Sequence, residues 1–172
     1  RLFRDIVECP VPVICAVNGS AFGGGLEIAL CCDIIYAVAG ARLALTEVKL
    51  GIMPGGFGTQ TLPRAVGPAR AKEIIFTAEP FAAEDALSWG LVNKVLPTDS
   101  MLRETLALAE RIAGNAPLSV RQAKLAIHHG AQMDFRTATF FDIEAYDRLV
   151  RSEDRIEGVR DYTSGYRVYP VS

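Results

Sequence analysis

Two glutamates in apolar segments are the residues of this sequence best suited to chemistry. Glu27 ends segment 18–27, which predicts a strand, a turn with three successive glycines at 23–25 and then a helix with an acid in its first turn. An unpaired carboxylate is costly to bury in an apolar run, which makes Glu27 a functional candidate. Glu47 follows the apolar residues 43–45 and precedes a second apolar, glycine-rich segment at 50–59 that also leads into a helix.

The triple glycine offers backbone N–H groups to a ligand. Because glycines at a helix entrance carry no Cβ, a ligand oxygen can approach N–H groups that the helix dipole already polarises. Such a site suits a developing oxyanion. The glycines alone are equally consistent with close packing of the helix against a strand, and Glu47 alone with an acid that caps or pairs near a helix start. If both carboxylates meet in a dry cleft, they can divide the acid and base roles of proton transfer.

Other common catalytic and metal-binding patterns do not occur in the sequence. His128 and His129 are adjacent on one predicted helix and point to different faces, so we expect neither a catalytic triad nor a metal site. The glycines match neither the phosphate-loop motif nor the G-x-G-x-x-G motif of dinucleotide-binding proteins. The four cysteines lack Cys-x-x-Cys and Cys/His ligand spacing, which predicts small buried thiols in a reducing compartment: Cys9, Cys15, Cys31 and Cys32.

The composition limits the classes of partner. The chain has 172 residues, of which 50% are hydrophobic and 22% charged, enough for a core in one or two domains. With 18 basic and 20 acidic residues and a net charge of −2, a nucleic-acid partner is not expected. No uncharged run approaches the ~18 residues of a membrane span, so no membrane partner is expected either. The start of the chain lacks a signal-peptide pattern, which favours the cytoplasm, with a mitochondrial location as the alternative if a targeting segment is missing.

The segments that must position the two acids alternate between strands and helices as far as residue 96. Apolar runs predict a buried strand at 11–17, a buried helix at 26–32 and a second strand at 34–39. Helices are then predicted at 59–66, 69–76 and 82–89, followed by a short strand at 91–95. This alternation indicates the α/β class.

After Pro97 the sequence changes to consecutive amphipathic helices. The first ends at Gly114, and the others are predicted at 117–129, 134–150 and 152–162. The helix at 134–150 carries more apolar surface than an exposed helix usually shows, including Phe140, Ile143 and Tyr146, so we expect it to pack on a core or on another subunit. We therefore divide the chain into 1–96, which holds the candidate site, and 97–172, a helical oligomerisation region.

Several motifs follow one another in a fixed order along nearly the whole chain. They are VNGxxxGGGLE at 17–27, CDI at 32–34, EVKLGIMPGG at 47–56, GTQ at 58–60, LPRAVG at 62–67, GLVxxV at 90–95 and DRxEG at 154–158. Together they resemble the crotonase, or enoyl-CoA hydratase/isomerase, superfamily. The segments around Glu47 and Leu62 look most similar to its methylglutaconyl-CoA hydratase-like branch.

The resemblance implies a fold and a site. The fold is a spiral of ββα turns followed by a helical trimerisation region. The substrate is an acyl-CoA thioester whose oxygen is held by two backbone N–H groups, one of which matches Gly24. The two catalytic acids of the family's hydratases match Glu27 and Glu47, whereas the related double-bond isomerases usually keep one of them. In the family's hydration reaction the pair activates a water to attack Cβ, and Glu47 delivers a proton to Cα.

Further expectations follow from the resemblance. Gly23, Gly55 and Gly56 are expected to bind substrate, no cofactor is expected beyond the coenzyme A of the substrate itself, and the protein is expected to be a homotrimer or a dimer of trimers. The family carries roughly a third of its length before the point that matches Arg1, including the second oxyanion N–H. We therefore expect these residues alone to be inactive. Phe57, where relatives more often have a small residue, and the tail from Asp161 onward depart from the family pattern.

Three functions are compatible with these observations. Retention of both acids favours an enoyl-CoA hydratase, which adds water across the 2,3-double bond. The first alternative is an enoyl-CoA double-bond isomerase on the same scaffold. The second is a non-catalytic oligomeric assembly module in which the apolar helices associate and the acids are structural.

Overall fold

The structure is a computed structural model that describes residues 1–164. The helices are α1 (Leu2–Val7), α2 (Gly24–Leu30), α3 (Gly58–Val66), α4 (Pro68–Thr77), α5 (Ala83–Ser88), α6 (Met101–Ala113), α7 (Pro117–Gly130), α8 (Phe135–Val150) and α9 (Glu153–Ser164), with a 3₁₀ helix at Glu47–Leu50. The strands are β1 (Ile14–Val17), β2 (Ala21–Phe22), β3 (Ile34–Val38), β4 (Arg42–Ala44), β5 (Phe81–Ala82) and β6 (Lys94–Leu96). Of the tail from Asp161 onward, which departs from the family pattern, residues 165–172 lie outside the described residues.

The strands form two small sheets that the chain visits in turn. One sheet has the order β1-β3-β6 with parallel pairs, and the other has the order β2-β4-β5, in which β2 and β4 are parallel and β5 is antiparallel to β4. Strands β1 and β2 are followed by helix α2, and strands β3 and β4 by the 3₁₀ helix and α3. This repeated ββα order confirms the predicted α/β spiral.

The parallel pair β2 and β4 determines where the two acids lie. Phe22 is paired with Ala44, so both strands end at the same edge of their sheet. The N–H of Gly23, directly after β2, donates to the carbonyl of Ala44 at 2.9 Å. Helix α2 and the 3₁₀ helix therefore begin side by side, with Glu27 in the first turn of one and Glu47 as the first residue of the other.

The core beneath this edge consists of aliphatic side chains from the apolar runs of the sequence. Leu26 at the start of α2, Leu43 in β4 and Leu62 in α3 are each at most 1% exposed. Burial of each such leucine contributes about 2 kcal/mol, so these residues anchor the three elements that surround the acids.

Several predicted boundaries are wrong. The strand predicted at 11–17 begins only at Ile14, because Pro12 has no N–H to pair. The helix predicted at 26–32 spans Gly24–Leu30, since the glycines form its first turn. The strand predicted at 91–95 is β6 at Lys94–Leu96, because the N–H of Leu91 turns back to the carbonyl of Ala86 at 2.9 Å.

By proximity of its Cα atoms the chain divides into two compact units. Residues 1–9 and 13–106 form the first unit, which holds both sheets, and residues 10–12 with the described residues from 107 onward form the second. The predicted division of the family regions at 96/97 stays a prediction.

The second unit is helical. Helix α8 begins after Asp134, whose carboxylate accepts a hydrogen bond from the N–H of Thr137 at 3.1 Å. Part of α8 packs against α7 through Phe141, whose ring meets that of His129 at 5.6 Å. Other large apolar side chains of α8 are exposed: Phe140, Ile143 and Tyr146. The packing of this face on another subunit stays a prediction. Among the helices of residues 1–164, none is both long and apolar enough to cross a bilayer.

Candidate active site

Glu27 is a buried carboxylate held by backbone N–H groups. Its side chain lies in the first turn of α2, and the residue is only 3% exposed. Its Oε1 atom accepts hydrogen bonds from the N–H of Gly56 at 2.7 Å and of Gly58 at 2.8 Å. Two short, charge-assisted bonds to a single oxygen fix the orientation of the carboxylate and leave Oε2 outside both bonds.

The two donors belong to residues 54–58, here called the glycine loop. Gly58 is the first residue of α3, so its N–H lacks an intrahelical acceptor and lies at the positive end of the helix dipole. A Cβ on Gly58 would lie 2.9 Å from Oε1 of Glu27, so the close approach requires glycine. The carbonyl of Gly56 accepts a weak hydrogen bond from the Cys31 thiol at 3.8 Å. The loop therefore holds Glu27 through N–H groups that are already oriented.

The Cys31 thiol remains a hydrogen-bond donor beside this loop. Its burial raises its pKa, and the negative charge of Glu27 raises it further. All four cysteines are free. The prediction that all are buried is wrong, since only Cys31 is buried and Cys9, Cys15 and Cys32 are half-buried.

Glu47 is the second buried acid of this edge. It is 8% exposed, and its Oε2 atom is buried without a hydrogen-bond partner among residues 1–164. A Cβ on Gly23 would lie 3.2 Å from its Oε1 atom, which shows that the carboxylate lies against the Gly23 backbone. A buried polar oxygen without a partner is rare in folded proteins and requires an explanation, of which a bound ligand is one.

The amide of Gly24 precedes both acids along the chain and lies at the start of α2. Gly24 is the first residue of α2, and nothing in the described part of the chain accepts a hydrogen bond from its N–H. Its neighbour Gly23 lies against the carboxylate of Glu47, while Glu27 lies one turn further along the same helix. The structure therefore places a polarised N–H and two buried carboxylates at one helix entrance.

The other predicted glycines have different surroundings. The N–H of Gly23 donates to the carbonyl of Ala44, and the N–H of Gly56 donates to the carboxylate of Glu27. Neither N–H is therefore available as a donor to substrate. Gly55 has open space where a Cβ would be. The substrate-binding role of these three glycines stays a prediction.

Sequence reasoning missed two contributors to this site. The role of Gly58 could have been inferred from its place directly before the helix predicted at 59–66, because N–H groups without a partner at a helix start attract an anion. Phe3 gave no signal, because its ring reaches the glycine loop only in the folded chain, where it meets the ring of Phe57 at 6.1 Å.

This arrangement is suited to proton transfer on a carbonyl compound. Two carboxylates can hold and move protons, and a free N–H at a helix entrance can stabilise the oxyanion that forms when charge reaches a carbonyl oxygen. Within residues 1–164 no group of three or more His, Cys, Asp and Glu side chains is arranged to hold a metal ion. The fold and the site thus agree with the resemblance of the sequence to the crotonase superfamily.

Comparison with known proteins gives the family. The sequence model of the enoyl-CoA hydratase/isomerase family matches residues 1–165, and the chain belongs to this family. It is 43% identical over 162 residues to the mitochondrial methylglutaconyl-CoA hydratase of Rattus norvegicus and 45% identical over 155 residues to the short-chain-enoyl-CoA hydratase of Clostridium acetobutylicum. These alignments cover 92% and 90% of this chain but only 51% and 59% of the two relatives.

A solved structure confirms the fold. The crystal structure of an enoyl-CoA hydratase from Bacillus anthracis matches with a TM-score of 0.96 at 40% identity, covering 98% of this chain and 66% of that one. The predicted crotonase fold is therefore confirmed, and so is the resemblance to methylglutaconyl-CoA hydratases, while the chain spans about half the length of those relatives.

Proposed function

We propose that the protein is an enoyl-CoA hydratase, a lyase that adds water across the 2,3-double bond of an enoyl-CoA thioester. The observation that carries the proposal is the pair of buried acids, Glu27 and Glu47, beside the free N–H of Gly24. The names of the two relatives, a methylglutaconyl-CoA hydratase and a short-chain-enoyl-CoA hydratase, support the same reaction and an acyl-CoA substrate.

Gly24 is proposed to stabilise the intermediate. When a nucleophile adds to Cβ, the electrons of the double bond move toward the thioester carbonyl, and its oxygen becomes an enolate. An N–H in the first turn of α2 is already directed outward and polarised by the helix, so it stabilises this charge without reorganisation. The second donor of the oxyanion hole is not assigned to any residue of this chain.

The two carboxylates are proposed to bind the water and to transfer its proton. A water bound between them gives its hydroxyl to Cβ and its remaining proton, through Glu47, to Cα, so that one molecule of water is added in all. Oε1 of Glu27 is occupied by the glycine loop, which leaves its Oε2 to orient the water. Oε2 of Glu47 has no protein partner among residues 1–164 and is the natural contact for the transferred proton. No cofactor is needed beyond the coenzyme A of the substrate.

The test uses the protein as its own gene encodes it, purified and supplied with a mixture of 2-enoyl-CoA and 3-enoyl-CoA. Chromatography should show a 3-hydroxyacyl-CoA product. Glu27→Gln and Glu47→Gln should each lower kcat by about 100-fold or more with folding retained, because each removes a proton-transfer group. Glu73→Gln is the matched control, since Glu73 is an exposed glutamate of α4, and it should leave kcat unchanged.

The alternatives give different results in the same experiment. A shifted double bond without added water would identify the isomerase. No turnover, together with self-association that is unchanged by both glutamine substitutions, would identify the assembly module. Substrates with branched and straight acyl chains then test the methylglutaconyl-like specificity, which we propose on the identity to that relative.

We also propose that the protein is a homo-oligomer, a trimer or a dimer of trimers. Three large side chains of α8, spaced three residues apart, are exposed to about 60%: Phe140 at 62%, Ile143 at 59% and Tyr146 at 63%. A contiguous apolar face of this kind usually marks an interface. Analytical ultracentrifugation should show an assembly that Ile143→Asp disrupts and that Phe76→Asp, at an exposed site on α4, does not.

A cytoplasmic location is proposed as well. Four unpaired thiols and bacterial relatives support it, whereas the mitochondrial relative supports the alternative. Fractionation of the source cells with an antibody against the protein distinguishes the two locations.

A further inference from the structure

Phe57 adopts a backbone conformation that suits glycine. Its φ is 79° and its ψ is 3°, in the left-handed region, where a side chain meets the backbone. It occupies the N-cap of α3, directly between the two glycines that donate to Glu27. Strain of this kind persists only where the surrounding structure compensates for it.

Burial of the ring gives only part of the compensation. Phe57 remains 38% exposed, so much of its apolar surface stays in water. A glycine at this position would adopt the same backbone without strain. The carbonyl of Phe57 accepts hydrogen bonds from the N–H groups of Gln60 and Thr61, both at 2.8 Å, which hold the backbone of the N-cap. A glycine would make the same two bonds, so what the phenylalanine adds is the contact of its ring.

That contact is made with Phe3 of helix α1. The two rings meet edge to face, with centroids 6.1 Å apart and planes inclined at 61°. The same Phe3 ring lies against Gly56, so closely that a Cβ on Gly56 would overlap its Cζ, Cε1 and Cε2 atoms. The Gly56 peptide is thus covered by Phe3 on its Cα side, while its N–H donates to Glu27 and its carbonyl accepts from Cys31.

We infer that Phe3 and Phe57 form an aromatic clasp that presses the glycine loop onto the carboxylate of Glu27, and that Phe57 is a positioning residue for that acid. The clasp acts through the loop, because Phe57 itself lies between the N–H groups of Gly56 and Gly58. When the N–H groups of Gly56 and Gly58 are held in place, Oε1 of Glu27 is held in place too. The direction of Oε2, the other oxygen of the carboxylate, is then fixed as well. The expected effect on kcat rests on the proposed hydratase function, whereas the expected effect on hydrogen exchange at the loop amides does not.

The kinetic arm compares variants of the protein as its gene encodes it. Phe57→Gly relieves the backbone strain and removes the ring, so a positioning role predicts that kcat falls about tenfold while KM for the enoyl-CoA stays within about twofold. Phe57→Tyr keeps the ring and should rescue most of kcat. Ala78→Gly is the matched control, because Ala78 is the other non-glycine residue of 1–164 with a positive φ, at 51°, and it should leave kcat unchanged.

A double variant tests whether the two rings act together. Phe3→Leu alone should lower kcat about as much as Phe57→Gly, since either change opens the clasp. The double variant should then be little worse than either single variant, because the contact is already lost. Fully additive losses would show that the rings act independently and would overturn the clasp.

The structural arm measures amide hydrogen exchange at Gly56 and Gly58 and does not depend on turnover. Opening of the clasp predicts exchange about tenfold faster at both amides in Phe57→Gly and no change in Ala78→Gly. Faster exchange together with lower kcat supports the inference, while unchanged exchange, or a change in KM with kcat retained, overturns it. If the unaltered protein hydrates no enoyl-CoA, the proposed function fails and exchange alone decides whether the clasp exists.

Discussion

Gly23→Ala is the substitution that most directly tests how Glu47 is placed. Gly23 is the N-cap of α2, with φ 52° and ψ −127°, a conformation that side chains rarely adopt. A Cβ there would lie 3.2 Å from Oε1 and 3.7 Å from Cδ of Glu47. The added methyl group therefore strains the backbone and pushes the carboxylate at the same time.

The two effects have separate magnitudes. Backbone strain of this kind lowers the free energy of unfolding by about 1–3 kcal/mol. The close contact displaces the Glu47 carboxylate by a few tenths of an ångström, as the 3.2 Å separation requires. Displacing a catalytic group by about 1 Å can lower a rate about 100-fold, so the smaller shift predicts about a tenfold loss of kcat, equivalent to ~1.4 kcal/mol of activation free energy.

Gly40→Ala separates the two effects. Gly40 also has a positive φ, 76°, but a Cβ there would meet nothing within 4 Å. Strain alone should lower its free energy of unfolding by about 1–2 kcal/mol and leave kcat unchanged. Urea unfolding gives the stability of both variants, and the initial rate of enoyl-CoA hydration at saturating substrate gives kcat.

The comparison has a clear refuting result. If Gly23→Ala loses no more kcat than Gly40→Ala at equal folded fraction, the position of the Glu47 carboxylate against Gly23 does not matter for turnover. In that case Glu47 would be a structural acid, and the two-acid mechanism would fail even if the protein proved to be a hydratase.

The other predictions concern Glu27, the cap of α8 and the core. Gly58→Ala should lower kcat about tenfold because its Cβ would lie 2.9 Å from Oε1 of Glu27. Gly19→Ala, whose Cβ would meet nothing within 4 Å, should leave kcat unchanged, and equal rates for the two variants would contradict the prediction. The pKa of Asp134 is lowered by hydrogen bonds that its carboxylate accepts from the hydroxyl and the N–H of Thr137. A lowered pKa stabilises the fold above the unfolded-state pKa, and this stability is lost as the pH falls through the folded-state pKa. Thermal melting should therefore show that Asp134→Ala destabilises at neutral pH and that its difference from the unaltered protein shrinks in acid, with Asp134→Asn intermediate; a pH-independent difference would refute this. Leu62→Ala should lower the free energy of unfolding in urea by about 2–5 kcal/mol because Leu62 is fully buried, while Leu50→Ala at a 76% exposed site should change it by about 0.5 kcal/mol or less.

Much of the fold could be predicted from the sequence where turn residues mark the ends of elements. The helices predicted at 59–66 and 69–76 are found at Gly58–Val66 and Pro68–Thr77, because Gly67 and Pro68 separate two periodic segments. The two-residue strands β2 and β5 could not be found, since two residues show no period. Their pairing depends on β4, which is remote in sequence from both.

The candidate site could be predicted only in part. The burial of Glu27 followed from its apolar surroundings, whereas the sequence around Glu47 alone favoured an acid that caps or pairs near a helix start. The structure buries both carboxylates at one helix entrance. Which N–H groups hold Glu27 could not be predicted, because the glycine loop has several candidates and only the folded loop selects Gly56 and Gly58. The backbone conformation of Phe57 could not be predicted either. The sequence shows that this residue departs from the family pattern, but it does not give its φ.

The meeting of the two acids depends on the register of a very short pairing. Phe22 lies opposite Ala44, so Gly23 follows β2 by one residue while Glu47 follows β4 by three. A slip of one residue would move Glu47 by about 3.3 Å relative to Gly23, and it would also turn Leu43, which is 0% exposed, out of the core. The burial of Leu43 therefore opposes the slip that would separate the acids. Stability and the placement of Glu47 are coupled at this edge, because the side chain that fixes the register of the core also fixes the position of the acid.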